Sequence, residues 1–120
     1  MHKYLTLLAA LLLSACAQNI ISLDDKLNHQ GLKEGAAVHE IKNLDIRSWQ
    51  YMDDENIIIQ TKNAPYLVRF IIPCPGIATA QTLKYTGSLG RLQSNDRVMV
   101  GFGHCRIREI YELVAPSGDN

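Results

Sequence analysis

Tyr66-Leu67-Val68-Arg69-Phe70-Ile71-Ile72-Pro73-Cys74-Pro75-Gly76 is the stretch on which the fold turns. Its opening residues alternate, with Tyr66, Val68, Phe70 and Ile72 on one face and Leu67, Arg69 and Ile71 on the other. Both faces are apolar apart from Arg69, which predicts a central strand covered on both sides rather than a sheet edge. Two prolines and a glycine then end the strand and hold the Cys74 thiol in a fixed direction.

On the N-terminal side of this stretch, Ile57 to Thr61 is rich in β-branched residues. Ile57, Ile59 and Thr61 share one face, and Asn56, Ile58, Gln60 and Lys62 the other. Asp53-Asp54-Glu55-Asn56 reads as a turn that keeps its charges in water. Asn63-Ala64-Pro65 is a break, because Pro65 cannot donate to a ladder. Ile46 to Met52, containing Trp49, is an earlier strand, and Val38 to Leu44 a weaker first one. On the C-terminal side, Ile77 to Leu83 is open between helix and strand: its alanines suit a helical turn and its threonines a strand. Gln93-Ser94-Asn95-Asp96 is a turn, and Arg97 to Phe102 a strand with Val98, Val100 and Phe102 inward. Gly101 and Gly103 suggest a bulge or a close backbone approach. Short strands at this spacing, with turn residues between them, predict an all-β sandwich or small barrel, or an α+β variant if 77–83 is helical.

The N-terminus has a different grammar. Met1-His2-Lys3 is a basic start, and Tyr4 to Leu13 an apolar run of about ten residues, far short of the roughly 20 that a spanning helix needs. Small residues then precede Cys16, which is the pattern of a secretory signal. Leu13-Ser14-Ala15-Cys16 resembles the lipobox of bacterial lipoproteins. In that class a peptidase cuts just before the cysteine, whose thiol carries a diacyl group and whose new amine is acylated. The resemblance implies that Leu13 fills an apolar peptidase pocket, that Ser14 and Ala15 let the backbone enter closely, and that Cys16 is the lipidated residue. At about 0.8 kcal/mol per buried methylene, several acyl chains give lasting attachment to a membrane. Ala17, rather than an aspartate, follows the cysteine and implies the periplasmic face of an outer membrane.

Cleavage before Cys16 leaves 120 − 15 = 105 residues, one domain's worth. Lys3 goes with the signal, so 12 basic residues become 11 against 12 acidic ones. No basic run is present, which argues against nucleic acid as a partner. With Cys16 taken by lipid, Cys74 and Cys105 remain in an oxidising compartment, and an even pair there is most simply one disulfide. A metal site from Cys74, Cys105 and His104 lacks CxxC or HxxxH spacing, so neither metal nor cofactor is expected. Cys105 to Leu113 fits a strand with Cys105, Ile107, Glu109, Tyr111 and Leu113 on one face. It also fits a helix with Ile107, Ile110, Tyr111 and Val114 together. The strand is preferred, because a bridge to the Cys74 turn would fix it in the sheet. Residues 16–37 read as a polar tether, with one helical turn capped by Ser22, carrying Leu23 and Leu27 and stopped by Gly31 and Gly35. Residues 38–114 then form the β-rich domain, and 115–120 a loose tail.

Ile46-Arg47-Ser48-Trp49, Asp53-Asp54, Pro65-Tyr66-Leu67-Val68, Pro73-Cys74-Pro75-Gly76, Asp96-Arg97-Val98, Cys105-Arg106-Ile107 and Ile110 follow one another in an order that resembles a group of short exported bacterial proteins. That group is known as a domain of unknown function, and many of its members look like lipoproteins. The resemblance covers about 38–113. It implies a β-rich domain with paired cysteines and carries no activity with it.

Few residues suggest catalysis. His104 beside Cys105 could pair a base with a thiolate, but neighbours on a strand point apart and a disulfide consumes the thiol. Asp53, Asp54 and Glu55 lack the spaced oxygens and glycine of a calcium loop. Ser88 is not in a G-x-S-x-G elbow. Thr86-Gly87-Ser88-Leu89-Gly90-Arg91 is the candidate binding loop. Trp49, Tyr51, Tyr66 and Tyr85 could form an aromatic face, with core packing as the alternative. Arg97, Arg106 and Arg108 could form a basic patch for an anionic glycan or lipid headgroup, with a solvated strand face as the preferred reading. The expectation is a non-enzymatic envelope lipoprotein that binds or supports another envelope protein or glycan. The alternatives are an anchored inhibitor or ligand-binding barrel, in the format of lysozyme inhibitors, and a small envelope enzyme.

Overall fold

The computed structural model describes residues 21–87, 90–101 and 103–116. Ser22 caps a short helix, α1 (Leu23–His29), its Oγ accepting from the Asp25 N–H at 3.2 Å. Gly31, at φ +70°, turns the chain out of it. Among the described residues nine strands follow: β1 (Lys33–Val38), β2 (Glu40–Ile41), β3 (Ile46–Asp53), β4 (Asn56–Thr61), β5 (Pro65–Phe70), β6 (Lys84–Tyr85), β7 (Leu92–Gln93), β8 (Arg97–Val100) and β9 (Gly103–Val114). The segment left open at 77–83 contains most of a 3-10 turn, Pro75–Thr79, followed by coil.

The strands make one curled antiparallel sheet, a half-barrel, in the order β3-β4-β5-β9-β8-β6, with β1 also on β9. The long β9 strand joins its parts. Its first residues pair with β8, its middle with β5, and its end with β1. A separate β2–β7 ribbon completes the pairing. The main core comprises Ile57, Ile59, Val68, Phe70, Ile107 and Ile110 of the sheet, with Ile41, Ile77, Leu92 and Val98 from the ribbon, the 3-10 turn and β8. On the outer face, Leu27 of α1 packs with Met52, Ile58, Leu67 and Leu113. Strands β4 and β5 and the C-terminal part of β9 are therefore covered on both sides, as the two-faced pattern of Tyr66–Ile72 predicts for β5.

Local chemistry sets the turns. The Asp53 carboxylate accepts from the Glu55 N–H at 2.8 Å and the Asn56 Nδ2 at 2.9 Å. Thr61 Oγ1 accepts from Ala64 N–H at 3.0 Å and donates to Ala64 O at 2.8 Å. Pro65 begins β5, where a missing N–H costs no ladder bond.

Three expectations are corrected. The tether drawn over 16–37 runs too far: α1 packs on the sheet, Lys26 Nζ donates to Met52 O at 2.8 Å, and β1 is a strand of the sheet. The first strand therefore starts at Lys33 rather than Val38. Ile72 does not share an inner face with Phe70, because the strand ends at Phe70 and Ile72 is 67% exposed. Finally, β9 does not keep one parity. Arg69 pairs with Glu109 and Phe70 with Ile107, so Arg108 is an extra residue, a β-bulge. Cys105, Ile107 and Ile110 therefore pack with the main core, whereas Tyr111 and Leu113 pack with α1.

Candidate functional site

Beyond Phe70 the chain leaves the sheet through Ile71–Gly76, a turn stiffened by Pro73 and Pro75. The Cys74 N–H donates to Asp54 O at 2.6 Å, and its sulfur is bonded to Cys105 of β9, with the Cα atoms 5.9 Å apart. Between this turn and the start of β9 lies a groove of about 430 Å³ beside the disulfide. Its walls are mainly Ile72, Pro73, Pro75 and Val100, and His104 and Arg106 bring the polar groups. His104 pairs with Met99 and Cys105 with Val98, which places the two side chains on opposite faces of β9. His104 thus has no route to the Cys105 sulfur, and that sulfur is already bonded. Such a groove can hold an apolar or amphipathic group; among the described residues that line it, no nucleophile stands next to a base.

The outer face around this groove has a defined order. Lys84 pairs with Met99 and Met99 with His104; Arg97 pairs with Arg106, whose carbonyl accepts from the Ile71 N–H at 3.0 Å. Their inward neighbours Tyr85, Val98 and Cys105 belong to the core or pack against it. The three arginines named from the sequence do not lie together. Arg97 and Arg106 lie directly opposite each other, whereas Arg108 sits in the bulge with its Nε 3.5 Å from Glu109. Lys84, Met99 and Ile71 were missed, because only the strand register brings them beside the arginines.

Further along the same face, Arg69 is internally satisfied. It bonds Glu34 at 3.0 Å and Asn56 at 3.1 Å and lies 5.1 Å from the Tyr111 ring centroid. Tyr111 donates to Glu109, and that bond raises its phenol above the ordinary tyrosine range, aided by burial. The other sequence candidates are occupied structurally. Asp53 caps its turn, and Asp54 accepts from the Tyr51 hydroxyl at 2.7 Å, which raises the Tyr51 phenol. Trp49, Tyr66 and Tyr85 pack against the main core while Tyr51 is exposed, so the four aromatics form no common face. Among the described residues no cluster of three or more His, Cys, Asp or Glu could hold a metal ion.

The candidate loop 86–91 is tied at its base. The Thr86 Oγ1 accepts from the Arg97 N–H at 3.0 Å, and the Gly90 carbonyl accepts from Leu44 at 2.8 Å. Gly87 approaches the Arg91 backbone so closely that a Cβ there would overlap the Arg91 carbonyl oxygen and lie 3.1 Å from Asp96 Oδ2. Ser88 and Leu89 lie outside the described residues, as do Leu13, Ser14, Ala15 and Cys16. Backbone cannot retreat as a flexible side chain can. Gly87→Ala is therefore expected to destabilise the domain by about 1–3 kcal/mol in urea unfolding. A neutral result would mean that the loop base is not closed in solution.

No helix among the described residues is long and apolar enough to cross a membrane. The comparisons with curated proteins and with solved structures returned no match. One family model, for a family of unknown function designated DUF6491, matches residues 1–117. That match takes in the N-terminal stretch, the groove, the disulfide and the outer face alike, and the chain belongs to this family.

Proposed function

We propose that this protein is a lipid-anchored module of the bacterial cell envelope, held at the periplasmic face of the outer membrane and working by binding rather than catalysis. Leu13-Ser14-Ala15-Cys16 carries this assignment, standing upstream of a domain whose other two cysteines are bonded to each other. A disulfide is chemistry of an exported protein, and it leaves Cys16 as the thiol available for acylation. Ala17 in place of aspartate supports the outer membrane. Binding is supported by the groove, whose apolar walls suit a ligand and where, among the described lining residues, His104 has no acid or nucleophile beside it.

Cys16→Ser is the test. The wild type is expected to incorporate labelled palmitate, to fractionate with membranes and to migrate as a form shortened by 15 residues. The variant should stay as the full-length, unlabelled precursor. A Cys16→Ser protein that is processed normally and stays membrane-bound would overturn the anchor. Crosslinking in intact envelopes tests the binding half, where capture of one stoichiometric partner is expected. Turnover of an envelope substrate by the purified protein, lost on a single polar substitution, would refute it.

A second reading has the tied base of loop 86–91 in its favour: a loop fixed at its root can be presented to a target cleft. An anchored inhibitor of lysozyme-like enzymes would use it so, and lack of inhibition by the purified protein removes that reading.

A further inference from the structure

We propose that the outer face of β6, β8 and β9 docks on an anionic phospholipid bilayer. The face joins two features that each cost something in water. Arg97 and Arg106 are direct cross-strand neighbours, an arrangement that is unfavourable for like charges. Lys84 lies two register positions away, on the same face. Among the described residues no carboxylate lies within ion-pair distance of these three cations, whereas Arg47, Arg69 and Arg108 each have one. Beside them, Met99 is 43%, Ile71 45% and Ile72 67% exposed. Apolar side chains so exposed and so grouped mark an interaction surface.

The pairing of chemistries selects the occupant. A phosphate-bearing headgroup layer neutralises Arg97, Arg106 and Lys84, and the acyl boundary just beneath takes Ile71, Ile72 and Met99. A glycan would satisfy the arginines but gain little from two isoleucines and a methionine. Position agrees as well. Leu67 and Arg69 lie on the outer face of β5, Ile71 follows its last residue and still bonds Arg106, and α1 packs on Leu67, so the helix and the basic face lie on one side of the sheet. Ile21 precedes α1 and follows Cys16 by five positions, a reach of at most about 18 Å. Docking thus builds on the anchored-module assignment, with the anchor bringing the face to the bilayer and the face fixing the domain's orientation there.

The test uses the full chain, processed as expressed, bound to vesicles of phosphatidylcholine alone or mixed with phosphatidylglycerol. Brominated acyl chains in both act as depth-sensitive quenchers. Trp49→Phe removes the native indole. Ile72→Trp then reports on the face, and Lys62→Trp, at the opposite end of β5, is the control. The Ile72→Trp indole is expected to be strongly quenched in phosphatidylglycerol vesicles only, less so as salt rises, while the Lys62→Trp indole stays unquenched. Adding Arg97→Gln and Arg106→Gln should shift the docked-to-undocked ratio about 25-fold towards undocked, at about fivefold per arginine. Both side chains are exposed, so the near-ultraviolet dichroism of the fold should not change.

Protein that floats with both vesicle types while the Ile72→Trp indole stays in water keeps the anchor and overturns docking. Protein that floats only with phosphatidylglycerol vesicles, its Ile72→Trp indole quenched, keeps docking and overturns the anchor. A face that is silent on lipid but buried on adding an acidic envelope protein also overturns docking, in favour of a protein partner.

Discussion

Cys74→Ala and Cys105→Ala should each destabilise the domain by about 3.7 kcal/mol, and the double variant by no more. The bridge spans a sequence separation of 31 residues, for which the chain-entropy relation gives about 12 cal/mol/K, or that free energy at room temperature. The closed segment holds the 3-10 turn, β6, β7 and β8, and through them Ile77, Leu92 and Val98 of the main core. In the open chain those residues must be gathered by burial alone. Domains of this kind hold about 5–15 kcal/mol in all, so the bridge is a large share. In a thermal scan the loss is a fall of about 15–30 °C. Reduction of the wild type should reproduce it, because reduction breaks the same bond without changing a residue. Loss of the Cys74 sulfur, which is buried, separates the two single variants by less than about 1 kcal/mol. Clearly unequal losses, or free thiols in the native protein, would mean that the cysteines have separate roles.

The same bridge marks how far the fold can be read from sequence. Strands β4 and β5 are legible because their alternation matches the burial, with Ile57, Ile59, Val68 and Phe70 on the inner side and Ile58 and Leu67 under the helix. The Ser22 cap and the Asp53–Asn56 turn are legible because local side chains make them. What fails is non-local. β1 is Lys-Glu-Gly-Ala-Ala-Val, a strand held mainly by backbone pairing with β9, and it has no hydrophobic period to find. The bulge at Arg108 is invisible for a related reason. It gives Ile107, Ile110 and Leu113 a spacing of three, which in isolation looks helical. The bulge also removes Glu109 from the core side, where strict alternation had put it. As for the site, the cysteines and arginines could be named individually. Their arrangement could not, because Arg97 meets Arg106 from one side of β9, and Ile71 meets Arg106 from the other, only through register.

Phe70→Ala should cost about 3–5 kcal/mol, whereas Ile71→Ala, one residue on, should cost within about 0.5 kcal/mol in water. Phe70 is 1% exposed, stands across from the fully buried Ile107, and shares the main core with Cys74. Truncation removes its transfer free energy and leaves a cavity that the neighbouring β-branched residues are too stiff to fill. Ile71 faces outward and leaves no cavity. Urea unfolding read by Trp49, which packs against the same core, would separate the two variants directly. Equal costs would mean that Ile71 is covered in solution, contradicting the open face on which lipid docking depends. Phe70→Ala is also expected to interact with the bridge. Phe70 and Cys74 belong to one core cluster, so the two losses should couple by about 0.5–3 kcal/mol rather than add. Taken without coupling, they amount to about 7–9 kcal/mol, within the range of a whole domain's stability. Reduced Phe70→Ala protein is therefore the species expected to lie unfolded at room temperature, while the oxidised variant still folds. That difference would show the bridge and the aromatic core to be two supports of one junction, where β5 leaves the sheet and β9 begins.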